Sequence, residues 1–283
     1  MKIYEVIKKI KKYYKGWGQI DEEHTRDKVL YGKTDQECTG IVTTCWASAE
    51  VIRKAYERGA NLIICHEALF WNHGDHMDWL EESQNNTFIK KKRLLDQTGI
   101  VVWRNHDYIH SGIPVNDGYE DGIFYGFAKM IGWEKYIIDS NAAFDTTMYY
   151  LPETTVNTIA TEMLAKFKLN GVKIIGDANM AVRKVFICMH VLGKDNDLIR
   201  RMDQEKIDLA ISLEMVDFTA AEYICDSMLL GENKAIMTVG HFNIEEPGME
   251  YLLEYLPKIV GDIPCSFVQS GDMYRYLTDR RNI

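Results

Sequence analysis

The chain has 283 residues, 46% hydrophobic and 27% charged, with five prolines and no Ser/Gly/Pro-rich tract, which excludes a disordered or linker-dominated protein and leaves room for two lobes. A formal charge of −9 argues against nucleic acid as a partner, because an acidic surface repels phosphate. Six cysteines (Cys38, Cys45, Cys65, Cys188, Cys225, Cys265) form no Cys-x-x-Cys pair, and neither a signal-like leader nor a membrane-length apolar run is present; the expectation is a cytoplasmic protein with reduced thiols and no membrane partner.

Residues 2–15 open the chain with Ile3, Val6, Ile7, Ile10 and Tyr14 at helical spacing among lysines, which predicts a helix docked on a core with a solvated basic face. Strand-like runs follow at 40–44, 61–65, 99–103, 147–151, 172–176, 184–191, 208–212, 235–239 and 265–268. Helical patterns lie between many of them, at 47–58, 85–97, 120–131, 154–168, 217–229 and 246–256. Gly59 and Gly99 stand as helix stops. This alternation predicts a layered α/β fold with mixed sheets flanked by helices. The stretch 115–145, with Pro114, Asn116, Gly118 and then the loop-like DSNAAFD, is the natural lobe boundary.

Histidines and carboxylates gather after strands at three places, and ligands of α/β proteins collect at the carboxyl ends of strands. In NLIICHEALFWNHGD (61–75) an apolar run leads into Cys65, His66 and Glu67. Strand parity puts Cys65 and Glu67 on one face and His66 on the other, so only a bend lets neighbours reach one ion. In IVVWRNHDYIH (100–110), His106 and His110 share a side of either a helix or a strand; taken alone the segment reads as a polar loop. In TVGHFNIEEPGMEYLLEYL (238–256), His241 and Glu245 show the same spacing before an amphipathic helix. Together the loci offer imidazole and carboxylate donors suited to zinc, iron, manganese or nickel.

These segments resemble the Nif-three-like dinuclear-metal-centre family, also called GTP cyclohydrolase I type 2 homologues. That family's pattern is a strand ending in His-His, a later His-x-x-x-Asp, and a Gly-His-x-x-x-Glu near the C-terminus. The matching stretches here are Cys65-His66, His106-x-x-x-His110 and Gly240-His241-x-x-x-Glu245, with Glu214 of SLEMVD in the position of another family glutamate. The resemblance runs from about residue 38 to 256. It implies a first lobe of residues 1–119 with 234–283, a second of 120–233, a metal site at strand ends between them, and a homohexamer. Two departures stand out. Cys65 replaces the first histidine of the pair, and His110 replaces the aspartate that bridges two metals.

The expected ligands are therefore His66, His110, His241 and Glu245, with Cys65 as a further candidate, and the expected proton-transfer groups are Glu67 and His106. The expected activity is metal-dependent hydrolysis of a small molecule. The alternative is a non-catalytic metal-binding scaffold or metal-handling regulator. The loop with His73, Asp75, His76 and Asp78 is a candidate for substrate contact, and His190 reads as a core histidine. Because neutral imidazole has one free lone pair where a carboxylate has two oxygens, His110 cannot bridge, and one tightly held metal per chain is expected.

Overall fold

A computed structural model describes residues 1–140, 146–188, 190–191 and 193–277. The elements begin with α1 (Ile3–Tyr13), β1 (Val29–Tyr31), β2 (Ile41–Thr44), α2 (Ala49–Glu57), β3 (Leu62–Cys65), α3 (Asp78–Glu82), α4 (Asn86–Thr98) and β4 (Val101–Arg104). Next come α5 (Asp107–Ser111), β5 (Ile113–Val115), β6 (Gly118–Glu120), α6 (Gly122–Ile131), β7 (Ile137–Ser140), β8 (Thr146–Thr155), α7 (Val156–Phe167) and β9 (Lys173–Ile175). The remainder is β10 (Ala181–Cys188), α8 (Asp195–Gln204), β11 (Leu209–Ser212), α9 (Ala220–Leu229), β12 (Ala235–Thr238), α10 (His241–Tyr251), α11 (Leu256–Val260) and β13 (Cys265–Phe267). The fold is mixed α/β. Residues 141–145 of the expected loop and Met189 of the expected strand 184–191 lie outside the described residues. Among the described residues no helix is long and apolar enough to cross a membrane.

The chain packs as two compact units, Met1–Gly126 with Glu245–Ser270, and Phe127–Ile244 with the segment from Gly271. The unit limits fall inside α6 and α10.

The first unit holds a five-stranded sheet, β1-β4-β3-β2-β13, in which β1 is antiparallel to β4 and the others are parallel. Alternate side chains serve two cores. Ile41, Leu62, Ile64, Val101 and Trp103 pack with Ile3, Val6, Ile7 and Ile10 of α1 and with Leu252 and Leu256. Val42, Ile63, Cys65 and Val102 pack with Val51, Ile52 and Ala55 of α2 and Phe88 and Leu95 of α4. The helices are well bounded. Ser48 accepts from the Val51 amide at the start of α2, Asn85 accepts from Thr87 and Phe88 at the start of α4, and Gly99 ends α4 at a φ of +65°.

The second unit holds a six-stranded sheet, β7-β8-β10-β11-β12-β9. Its three neighbours β10, β11 and β12 run parallel, so their carboxyl ends form one rim. Phe186, Cys188, Ala210 and Ile236 of these strands pack with Leu198 and Met202 of α8 and Ile224 of α9.

Within the first unit, α6 and α10 meet through glycine. A Cβ on Gly248 would stand 2.6 Å from Ile123 Cα, and one on Gly126 would stand 2.6 Å from Gly248 Cα. Backbone cannot yield as a flexible side chain can, so this approach admits only glycine, and it fixes the part of α10 that carries Glu245. An alanine normally stabilises a helix interior by about 1 kcal/mol relative to glycine. Gly248→Ala is instead expected to destabilise the protein by about 1–3 kcal/mol through overpacking. A denaturant midpoint that stays level or rises would show that the contact can relax.

Candidate metal centre

The bend required by the sequence is present at the end of β3. The amides of His66 and Glu67 both donate to the Cys45 carbonyl, each at 2.9 Å. Two successive amides aimed at one acceptor end the extended geometry. His66 and Glu67 thereby join one group with Glu245, their ligand atoms all within 4.8 Å of one another. Cys65, still on the strand, remains in the apolar core of α2 and α4, with its Sγ donating to the Glu67 carbonyl at 3.3 Å. Burial pushes its thiol up to about 12, which disfavours the thiolate needed for ligation or redox attack. The structure does not bring Cys65 together with the histidines.

Three imidazoles converge instead. His66, His106 and His110 form a second group within the same 4.8 Å limit. The His66 and His106 rings stack at 4.6 Å between centroids, and His110 stands edge-on to them at 5.0 and 5.1 Å. Each Nδ1 faces an oxygen that can only accept: the Asn105 carbonyl at 3.1 Å for His66, Asp107 Oδ1 at 2.9 Å for His106, and Asp121 Oδ2 at 2.7 Å for His110. Nδ1 donates in all three, so Nε2 is the nitrogen available for a ligand. His66 Nε2 is buried, has no hydrogen-bond partner among the described residues, and lies 3.7 Å from Glu245 Oε2.

Distant segments hold this geometry. Asn105 Nδ2 donates to Tyr14 Oη at 2.8 Å, so α1 steadies the residue whose carbonyl orients His66. Asp107 Oδ2 accepts from Thr25 Oγ1 and the Arg26 amide, both at 2.8 Å. Asp27 accepts from the amides of His106, Asp107 and Tyr108, the first turn of α5. Burial, reinforced by Asp107, pushes the Asp27 carboxyl up to about 6. Burial and the neighbouring His66 push His106 down to about 4. Burial alone would also lower His66, but the charges of Glu245 and Glu67 outweigh it and raise that ring.

A third group, Glu67, His73 and His106, borders the first two. His73 Nδ1 lies 3.7 Å from Glu67 Oε2. The loop carrying His73 is pinned from below by buried Arg104, which donates to the His73 carbonyl at 3.1 and 3.3 Å, to the Asp75 carboxylate, and to the Arg26 carbonyl at 2.9 Å.

His241 lies in the second unit. There Glu214 accepts from His190 Nδ1 at 3.0 Å and from His241 Nδ1 at 2.5 Å, at the rim formed by β10, β11 and β12. These hydrogen bonds, against the opposing effect of burial, pull the Glu214 carboxyl down to about 2. His190, Glu214 and His241 form a fourth group with metal-binding spacing. His190 is half exposed, so it is not a core histidine; the apolar strand before it gave no sign that the chain surfaces there.

Nothing in the sequence singles out Asn105, Asp121 or Asp27, and Asp107 shows there only as the carboxylate between His106 and His110. Only the Asp107 position beside His106 carried a usable signal.

Two α/β units, with buried histidine–carboxylate groups able to hold a metal ion, define the class of protein. Residues 1–270 match the family model described as Duf34/NIF3 (NGG1p interacting factor 3), and the chain belongs to that family. It is 25% identical over 225 residues to a Clostridium perfringens protein called GTP cyclohydrolase 1 type 2 homolog, covering 77% of this chain and 78% of that one. Its fold is similar to that of a hypothetical Staphylococcus aureus protein (TM-score 0.71, 17% identity, 98% and 99% of the two chains) and of a Bacillus cereus protein related to NIF3 (TM-score 0.69, 14% identity, 98% and 99%).

The chain just beyond Glu67 is held by buried Lys91, whose Nζ donates to the Leu69 carbonyl at 2.6 Å and lies 5.1–5.6 Å from the ring centres of Trp46, Phe70 and Trp71. Burial pushes this amine down to about 8 from 10.5. Between those values the folded protein binds fewer protons at Lys91 than the unfolded chain, so this group makes stability rise with pH across the window. Lys91→Met should flatten that rise. Melting temperatures of both proteins between pH 8 and 10.5 provide the check, and parallel curves would contradict the assignment.

Proposed function

We propose that this protein holds one divalent cation in its first unit and hydrolyses a small molecule there. The observation that carries the reading is the convergence of His66, His106 and His110, each with Nδ1 tied to an oxygen, beside the Glu245 carboxylate. A buried, unbonded His66 Nε2 next to a carboxylate fits a cation better than it fits an apolar core. Imidazole and carboxylate donors suit zinc, iron, manganese or nickel. A bound divalent cation supplies a Lewis acid that polarises a substrate oxygen or lowers the pKa of water.

His106, neutral at physiological pH, acts in this scheme as a ligand and not as the proton carrier. Glu67 takes that task. Its side chain is 12% exposed and paired with His73, so it can accept a proton from an attacking water and pass it outward. His241 enters the proposal through its motif alone, and its replacement by Ala measures that role. The name carried by the clostridial relative puts GTP on the panel of substrates to assay. A hexameric assembly belongs to the same proposal on the family resemblance alone, and light scattering that finds a stable monomer at micromolar concentration removes it.

A second reading, a non-catalytic metal scaffold or regulator, is favoured by closure of the group: His66, His110 and Glu245 are all at most 2% exposed. It predicts undiminished metal content and no turnover on any hydrolytic substrate.

Elemental analysis of protein purified without chelator is expected to give about one metal per chain, because His110 offers one lone pair where an aspartate offers two oxygens. His110→Asp should raise the count toward two. Glu245→Ala and His66→Ala should strip the metal while leaving the protein folded. Full metal content in both ligand variants would refute the assignment, and two tightly held metals in the unmodified protein would refute the single-cation argument.

A further inference from the structure

His110 differs from the other two imidazoles in what stands behind it. His66 rests on a neutral peptide carbonyl, and His106 on a carboxylate that is 24% exposed and shared with Thr25 and Arg26. Behind His110 lies Asp121, and the side chains of the pair are 1% and 5% exposed. One oxygen, Oδ2, meets His110 Nδ1 at 2.7 Å. The other, Oδ1, accepts from the amides of Ile123 and Phe124 at 2.9 and 3.1 Å, which locks the carboxylate to the first turn of α6. The approach of this turn to α5 needs Gly122, where a Cβ would stand 2.6 Å from Ile109 Cγ1. The backbone thus places a fixed carboxylate directly behind one imidazole.

We infer that Asp121 is a positioning residue of the centre: it holds His110 as the Nδ1–H tautomer, presents Nε2 as the ligand atom, and delivers through the ring the negative charge that a direct carboxylate ligand at position 110 would have supplied. The tautomer stands on the geometry alone, and the consequence for metal binding rests on the proposed function. A carboxylate behind an imidazole raises the basicity of the far nitrogen and fixes the ring plane. An amide at the same position acts in the opposite sense. The side chain introduced by Asp121→Asn would keep an oxygen for the Ile123 and Phe124 amides and turn its NH2 toward Nδ1, which must then accept, moving the ring proton to Nε2 where it blocks a ligand.

The test is Asp121→Asn, alone and combined with His110→Ala, read by ring nitrogen NMR on metal-free protein at a pH where the imidazole is neutral, and by zinc affinity in competition with a chromophoric chelator. The unmodified protein is expected to show His110 as Nδ1–H, and Asp121→Asn to invert it to Nε2–H with a zinc affinity about 10–100-fold lower. In the His110→Ala background the same amide substitution should change zinc affinity little, since its effect passes through that ring. An Nε2–H tautomer in the unmodified protein overturns the inference, as does an equal loss of affinity with or without His110. A protein that binds no zinc at all would refute the proposed function, while the NMR would still decide the tautomer. The unmodified spectrum decides it also if the variant does not fold.

Discussion

Two amides on one carbonyl govern the first unit's chemistry. Extended backbone sends successive side chains to opposite faces, so Cys65, His66 and Glu67 cannot share a site while β3 continues. The Cys45 carbonyl, just past the neighbouring β2, takes both the His66 and the Glu67 amide and ends the strand within one residue. His66 then stays on the face of Ile64, toward α1 and α5, and Glu67 swings to the same group. Cys65 is left behind in the opposite core. A strand longer by two residues would turn Glu67 to the face of Cys65, where Phe88 and Leu95 pack.

That arrangement sets a demand the rest of the unit meets. An imidazole taken from water costs free energy unless its N–H finds an acceptor. Three such rings lie together, and three oxygens answer them, one from the turn after β4, one from Asp107 at the start of α5 and one from Asp121 just before α6. The acceptors need support in turn. Tyr14, just past the end of α1, reaches Asn105, and Asp27, from the segment before β1, gathers the amides that open α5. The glycine contact of α6 with α10 belongs to the same chain of causes, since it sets the turn of α10 that carries Glu245.

The sequence exposes the parts of this that local chemistry controls. β2, β3, β4, β11 and β12 are short apolar runs, and the helices between them carry their own caps, so the mixed α/β class follows from pattern alone. The convergence of His66 with His110 and Glu245 was visible only as three loci after strands, strengthened by a family resemblance. What stayed hidden has physical reasons. α5 is a five-residue helix held by Asp27 from 80 positions away, so RNHDYIH shows only a spacing that suits helix and strand equally. Asp121 looks like a helix cap, which it also is, and nothing local announces the ring it faces. The unit limits fall within α6 and α10, where helical periodicity gives no linker signal. Cys65 looked like a ligand because its motif position is one, yet strand parity assigns it to the apolar core.

The proton distribution in the metal-free group follows from the same packing. His66 and His106 stack at 4.6 Å, and two imidazolium rings at that distance repel strongly in a buried site. The two rings accordingly move apart: His66, beside Glu245, is raised, while His106 is pushed down to about 4. The proposed cation would meet the same two groups, His66 Nε2 and the Glu245 carboxylate, because Nδ1 is committed to Asn105. His66 is 0% and Glu245 2% exposed, so a positive charge between them, on the ring or on a cation, would offset the cost of burying the carboxylate.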